Sequence, residues 1–179
     1  KYSLIYIFND MHNPLNAPGF YRFMVGDIEV ICVNDGTLSS DINAVKGVSI
    51  QQAQALFDES FFPDVRCTTN NFIIRSKGHT ALVDVGAGSF IDDTAGKMLE
   101  NAAAAGISPA DIDTILFTHI HPDHISGLMD ANWNKVFPQA VIKMHRAEFD
   151  FWLSDDPLSQ KIPHVKHEAD HVIRFMTPY

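Results

Sequence analysis

Thr114-Ile115-Leu116-Phe117-Thr118-His119-Ile120-His121-Pro122-Asp123-His124-Ile125-Ser126-Gly127-Leu128 is the stretch that decides the reading of this chain. Thr114 to Phe117 is short, β-favouring and mostly apolar, the pattern of a buried strand. Three histidines and one aspartate follow between His119 and His124. Pro122 argues against a regular helix or a central strand at that point, which places the polar cluster on a turn at the strand's end. The carboxyl ends of strands are where sites form in open α/β sheets. Imidazole and carboxylate are good donors for borderline divalent metals. His119 and His121 can point to one side as an i,i+2 pair, and Asp123 and His124 can face a second ion. Two ions roughly 3.5–4 Å apart would activate a bridging water and polarise the bond being cut. A single histidine on a turn is usually a surface residue; four ligand-type side chains at this spacing behind a buried strand predict a metal site.

Upstream, Ala81-Leu82-Val83-Asp84-Val85-Gly86-Ala87-Gly88 reads as a second strand that delivers an aspartate into a glycine turn. Carboxylates are rarely buried without partners, so Asp84 needs a structural reason. Thr118-His119-Ile120-His121-Pro122-Asp123-His124 resembles the THxHxDH signature of the metallo-β-lactamase superfamily, and the Asp84 segment resembles its D-x-G motif. The resemblance runs from about Phe20 to Tyr179. It implies that His119 and His121 bind a first metal and Asp123 and His124 a second. It implies that Asp84 holds the metal loop by hydrogen bonds without being a ligand, and that Asp123 also orients the nucleophile and handles a proton. The implied cofactors are two divalent metal ions, zinc first, with manganese, cobalt or iron as alternatives. The implied fold is α/β, the N-terminal half of an αββα metallo-β-lactamase sandwich, with residues 1–19 as an N-terminal arm and 20–179 as the metallo-β-lactamase-like domain.

Phe20-Tyr21-Arg22-Phe23-Met24-Val25-Gly26-Asp27 and Asn34-Asp35-Gly36-Thr37 resemble the opening of the methyl-parathion-hydrolase and quorum-quenching-lactonase-like branch. His145-Arg146-Ala147-Glu148-Phe149-Asp150-Phe151-Trp152 resembles a strand-to-helix step of the same branch, with His145 expected as a cap or supporting residue. The resemblance therefore implies a metallo-hydrolase that uses a metal-bridging hydroxide on a lactone or organophosphate ester. A glyoxalase II-type thioesterase or a phosphodiesterase is the alternative enzyme, and a truncated, non-catalytic scaffold or binding protein is the alternative outside enzymes. The net charge of −9 argues against a generic phosphate-backbone binder and for a small neutral substrate. No nucleic-acid or membrane partner is expected, and no apolar run reaches membrane-spanning length. The compartment stays open between cytoplasm and a periplasmic or secreted location after signal removal.

The family's third histidine, bridging aspartate and last histidine have no counterpart in context after His124. The resemblance thus covers the first half of the fold, incomplete at the C-terminus. Three readings are open: a piece of a longer enzyme, one part of an assembly that completes the site, or a naturally truncated homologue. Each predicts an apolar face that associates, as a homo-oligomer or with the missing C-terminal part. His167-Glu168-Ala169-Asp170-His171 spells HExxH, but no His, Asp or Glu follows as a third ligand. His164, His167 and His171 are therefore expected to be solvated.

Elsewhere the chain predicts a strand at Tyr2 to Phe8 and a β-hairpin from Phe20 to Val33, closed by Asn34-Asp35-Gly36. Residues 38–48 read as a loop. A helix from Ile50 to Glu59 is capped by Ser49 and Gln52 and ended by Phe61, Phe62 and Pro63. Phe61 and Phe62 would line a pocket or pack in the core. Strands are expected at Thr69 to Arg75, Thr80 to Val85 and Ala140 to Met144. Helical character is expected over Asp92 to Ala105, stopped by Gly106, and again over Ile125 to Met129 and His145 to Leu153. Cys32 is expected to be a buried free thiol.

Overall fold

The computed structural model describes residues 19–61 and 65–179. The proposed strand at Tyr2 to Phe8, most of the N-terminal arm, Phe62 and Pro63 lie outside the described residues. Six strands form one sheet in sequence order: β1 (Phe20–Val25), β2 (Ile28–Ser39), β3 (Arg66–Ser76), β4 (His79–Val83), β5 (Thr114–Leu116) and β6 (Val141–Lys143). β1 to β4 pair antiparallel, β1 with β2 and β3 with β4 through two-residue turns and β2 with β3 across residues 40–65, and β4, β5 and β6 pair in parallel. Parallel pairs need crossovers, and these carry α2 (Met98–Ala104) between β4 and β5 and α3 (Pro122–Ile125) between β5 and β6. The other helices are α1 (Ile50–Glu59), α4 (Arg146–Trp152) and α5 (Lys166–Met176).

The strand register explains the core. Ile31, Ile73, Leu82, Ile115 and Ile142 face one another across five strands, and the first four are buried. This row packs against Met98, Ala102, Val172 and Phe175 from the helices. Each isoleucine, leucine, valine, phenylalanine or methionine among them contributes about 1.5–3 kcal/mol when fully buried. The next row along, Tyr21, Cys32, Phe72, Val83 and Leu116, points to the opposite face because side chains alternate along a strand. That face is apolar and partly open: Tyr21 is 69% exposed and Phe72 38%.

The hairpin forms as expected, but Asn34-Asp35-Gly36 does not close it. β2 runs on to Ser39, and a bulge at Asn34/Gly36 absorbs one extra residue. The bulge turns Asp35 into the interior, where its carboxylate accepts from the Ala87 and Met98 amides at 2.8 and 2.9 Å. Burial pushes its pKa up, against those amide bonds. The Ser49–Gln52 capping box is present in both directions. The Asp92 to Ala105 segment is helical only from Met98 to Ala104. Gly96 takes φ +77, and a Cβ there would sit 2.0 Å from the Gly88 carbonyl oxygen. Asp92 instead accepts from the Ser39 and Thr94 amides.

Four further expectations change. The strand expected to Val85 ends at Val83, and the helix expected at Ile125 to Met129 is a 3-10 turn over Ser126–Leu128 behind α3. Phe61 does not pack in the core: it is 94% exposed. Cys32 is a free thiol but only half-buried, on the open sheet face. Among the described residues no helix is long and apolar enough to cross a membrane.

Candidate metal centre

β4 and β5 end side by side, and the site grows from their carboxyl ends. Asp84 follows β4 directly and has φ +58, a conformation a non-glycine residue adopts at a cost of about 1–3 kcal/mol. That turn sends its carboxylate across to the end of β5. Oδ1 accepts from the Thr118 amide at 2.9 Å, and Oδ2 accepts from the Thr118 hydroxyl at 2.8 Å. Oδ2 also meets His124 Nδ1 at 2.9 Å. Asp84 is 6% exposed and ties together the two ends of the histidine turn.

The turn itself differs from expectation in one way. His121 is the N-cap of α3, and Pro122 occupies the first helical position, where its missing N–H costs nothing. Pro122 thus opens a one-turn helix rather than forbidding one, and Asp123 and His124 ride on it. The imidazoles of His119 and His121 lie 4.7 Å apart between ring centres, and those of His119 and His124 4.0 Å apart. His124 Nε2 is 3.4 Å from Asp123 Oδ2. All four ligand-type residues predicted from the sequence are therefore brought together, with Asp84 behind them.

The hydrogen bonds orient two of the rings. The Thr118 hydroxyl has one proton and gives it to Asp84, so the contact with His119 Nδ1 at 3.1 Å places that ring's N–H on Nδ1. His119 then presents a bare Nε2. Burial, with positive charge on His124 and His121 adding to it, holds the His119 pKa down and favours that neutral form. His124 is anchored through the same nitrogen on Asp84. Burial of the His124 ring opposes its charge, but Asp123 and Asp84 outweigh it and push its pKa up to about 9. Asp123 is held low, chiefly by its hydrogen bond with His124.

Three imidazoles and a carboxylate, two of the rings anchored at Nδ1, fit a borderline divalent ion in donor chemistry. Among the described residues no three His, Cys, Asp or Glu side chains close on one point in ligating geometry. The His124–Asp123 ion pair accounts for part of this, since Nε2 of His124 faces that carboxylate rather than a shared centre. His121, Pro122 and Asp123 line a cleft of about 460 Å³ together with Leu38, Ile91 and Trp152.

Some supporting residues carried no sequence signal. Glu148 of α4 accepts from the Ile120 amide at 3.0 Å and from Trp152 Nε1 at 3.2 Å. Its place in the helix expected over His145 to Leu153 gave no hint of this reach. His145 caps α4 by accepting from the Ala147 amide, as expected. His171 corrects the reading of a solvated HExxH segment: it is half-buried, stacked on Phe175 at 4.3 Å and within 2.7 Å of Ser126 Oγ. Burial pushes its pKa down. His164 and His167 are exposed as expected.

The sequence profile described as the Metallo-beta-lactamase superfamily matches residues 64–172, more than half of the chain. The chain belongs to the metallo-β-lactamase superfamily. Ribonuclease Z of Mycolicibacterium gilvum (strain PYR-GCK) is 38% identical over 68 residues, which is 38% of this chain and 21% of that protein. Ribonuclease Z of Mycobacterium sp. (strain KMS) is 34% identical over 82 residues, 44% of this chain and 26% of that one. Among solved superfamily structures, the hydrolase AbOPH superposes with a TM-score of 0.78 at 27% identity, over 91% of this chain and 58% of its own. AidC, a dizinc quorum-quenching lactonase in complex with a product, N-hexnoyl-L-homoserine, superposes with a TM-score of 0.70 at 25% identity, over 88% of this chain and 60% of its own. This chain therefore spans well under two thirds of each of these relatives.

Proposed function

We propose that this chain carries the metal-binding turn of a metal-dependent hydrolase, and that the substrate is a small neutral ester or lactone. The observation that carries the reading is the His119 ring, which lies 4.7 Å from that of His121 and 4.0 Å from that of His124, with Asp123 beside His124 and Asp84 behind. In this reading His119 and His121 hold a first divalent ion, and Asp123 and His124 hold a second, zinc being the first candidate. When bound, such ions supply Lewis acidity toward an acyl or phosphoryl oxygen and acidify water. The chain's own residues do the rest. Asp84 and Thr118 fix the orientation of the His119 and His124 rings, and loading requires Asp123 to part from His124 Nε2. Asp123, held ionised, is the group placed to accept a proton at the mouth of the cleft. Leu38, Ile91 and Trp152 supply apolar walls that exclude water from a bound acyl chain.

The lactone side of this reading rests on the fold likeness to AidC and on the cleft, whose lining among the described residues contains no lysine or arginine. Ribonuclease activity is the second reading, favoured by the local identity to ribonucleases Z. A net charge of −9 weighs against it, because phosphate backbones are bound through basic patches. The test is zinc-loaded protein assayed against N-hexanoyl-homoserine lactone, paraoxon and a tRNA precursor, with His121→Ala beside it. Lactone opening lost in H121A supports the reading. Cleavage of the RNA alone supports ribonuclease activity, and no zinc uptake overturns the metal centre.

A further inference from the structure

Two helices reach the histidine turn from behind, and they share no residue. From α4, Glu148 accepts the N–H of Ile120, the residue between His119 and His121, at 3.0 Å. Trp152 Nε1 donates to the same Glu148 oxygen at 3.2 Å, and the Trp152 ring meets His121 edge to face at 5.6 Å. From α5, His171 reaches Ser126, which caps the C-terminal end of α3, the helix that carries Asp123 and His124. Ser126 is fully buried, and its Oγ lies 2.6 Å from the Pro122 carbonyl oxygen and 2.7 Å from His171 Nε2. A hydroxyl has one proton. If Ser126 gave it to His171, two lone-pair oxygens would face each other at 2.6 Å. The contacts are satisfied together only if Ser126 donates to Pro122 and His171 Nε2–H donates to Ser126. The ring is held for this by its parallel stacking on Phe175, at 9° between planes.

We propose that His171, acting through Ser126, is the positioning residue for the Asp123/His124 pair, and that Glu148 is the positioning residue for the His119/His121 pair. The two ion sites are thereby set by separate helices and can be weakened one at a time. The inference rests on the two-ion reading above. It also gives the HExxH histidine a role other than ligation: His171 serves the metal turn from the second layer.

The experiment is zinc titration of the full chain against a chromophoric chelator, with cobalt absorption spectra of the same samples. H121A and D123N assign the two binding steps. H171F keeps the stacking on Phe175 but cannot donate, and H171Q restores an N–H donor. Second-layer losses of this kind cost about 10–100-fold in metal affinity. H171F is therefore expected to lose about that factor in the step assigned by D123N and to leave the other step and its cobalt bands unchanged. H171Q should recover most of the loss, and E148A should weaken the step assigned by H121A. S126A keeps His171 in place and must reproduce H171F, which covers the case in which H171F fails to fold. Two ions bound by the wild type, with H171F or S126A weakening both steps alike or neither, would overturn the separate braces and leave the hydrolase reading standing. A wild-type chain that takes up no zinc would overturn both.

Discussion

His124 sits between two carboxylates, at 2.9 Å from Asp84 and 3.4 Å from Asp123. Its pKa is raised from an ordinary 6.5 to about 9 in the fold. The imidazolium is therefore favoured by folding. That contribution is fully present below pH 6.5 and is lost as pH rises through about 9. Chelator-treated protein should melt at progressively lower temperature between pH 7 and pH 10, read by calorimetry, and H124Q should flatten that part of the profile. A metal at Nε2 must displace the same proton. Zinc affinity should therefore climb over the pH range in which the bare protein weakens. Asp84→Asn removes the charge that faces His124 and puts an NH2 donor where Oδ2 accepts from the Thr118 hydroxyl, leaving Oδ1 for the Thr118 amide. We expect about 10–100-fold weaker zinc binding from it, measured by competition titration. Unchanged affinity in D84N would mean that the turn keeps its shape without Asp84.

At the scale of elements, glycine geometry separates what a local pattern can tell from what it cannot. Gly96 and Gly78 both have left-handed φ, +77 and +82. A Cβ at Gly78 meets nothing within 4 Å, whereas one at Gly96 meets the Gly88 carbonyl at 2.0 Å. Gly78→Ala should cost about 1 kcal/mol from backbone strain alone. Gly96→Ala adds a backbone clash and should cost about 3 kcal/mol, read from urea midpoints. The same contact explains a misread helix. The alanines near 102–105 predict helix correctly, but nothing in Asp92 to Lys97 shows that the chain must cross Gly88 first. The Ser49–Gln52 box and the Gly26–Asp27 hairpin turn were legible because their signals lie within a few residues. The four ligand-type residues were legible for the same reason. Asp35, Glu148 and His171 were not, because each acts on a segment 28 to 63 residues away. Pro122 was misjudged because a proline that breaks a helix inside it also opens one at its first position.

At the scale of the molecule, one sheet face is buried under helices and the other is open. On the open face Tyr21, Phe23 and Phe72 are 69, 37 and 38% exposed, beside half-buried Cys32, Val83 and Leu116. These residues form two adjoining rows across the paired strands, so the apolar surface is continuous rather than scattered. Contiguous apolar patches beyond a few hundred Å² are uncommon on soluble monomers and mark surfaces that meet something. The chain matches nearly all of its own length to AbOPH and AidC but only 58 and 60% of theirs, so a large part of each of those chains lies outside the match. The physical consequence is direct. The chain at low concentration should enhance the fluorescence of a naphthalene sulfonate dye in its native state, before any thermal transition. Phe72→Lys and Tyr21→Lys place charges on the open rows without touching the buried ridge of Ile31, Ile73 and Leu82. They should cut the enhancement to roughly half or less while leaving the melting temperature near that of the parent. A parent chain that binds no dye would show the face to be covered in solution. The same two lysine variants would then be expected to lower the melting temperature by disrupting that cover.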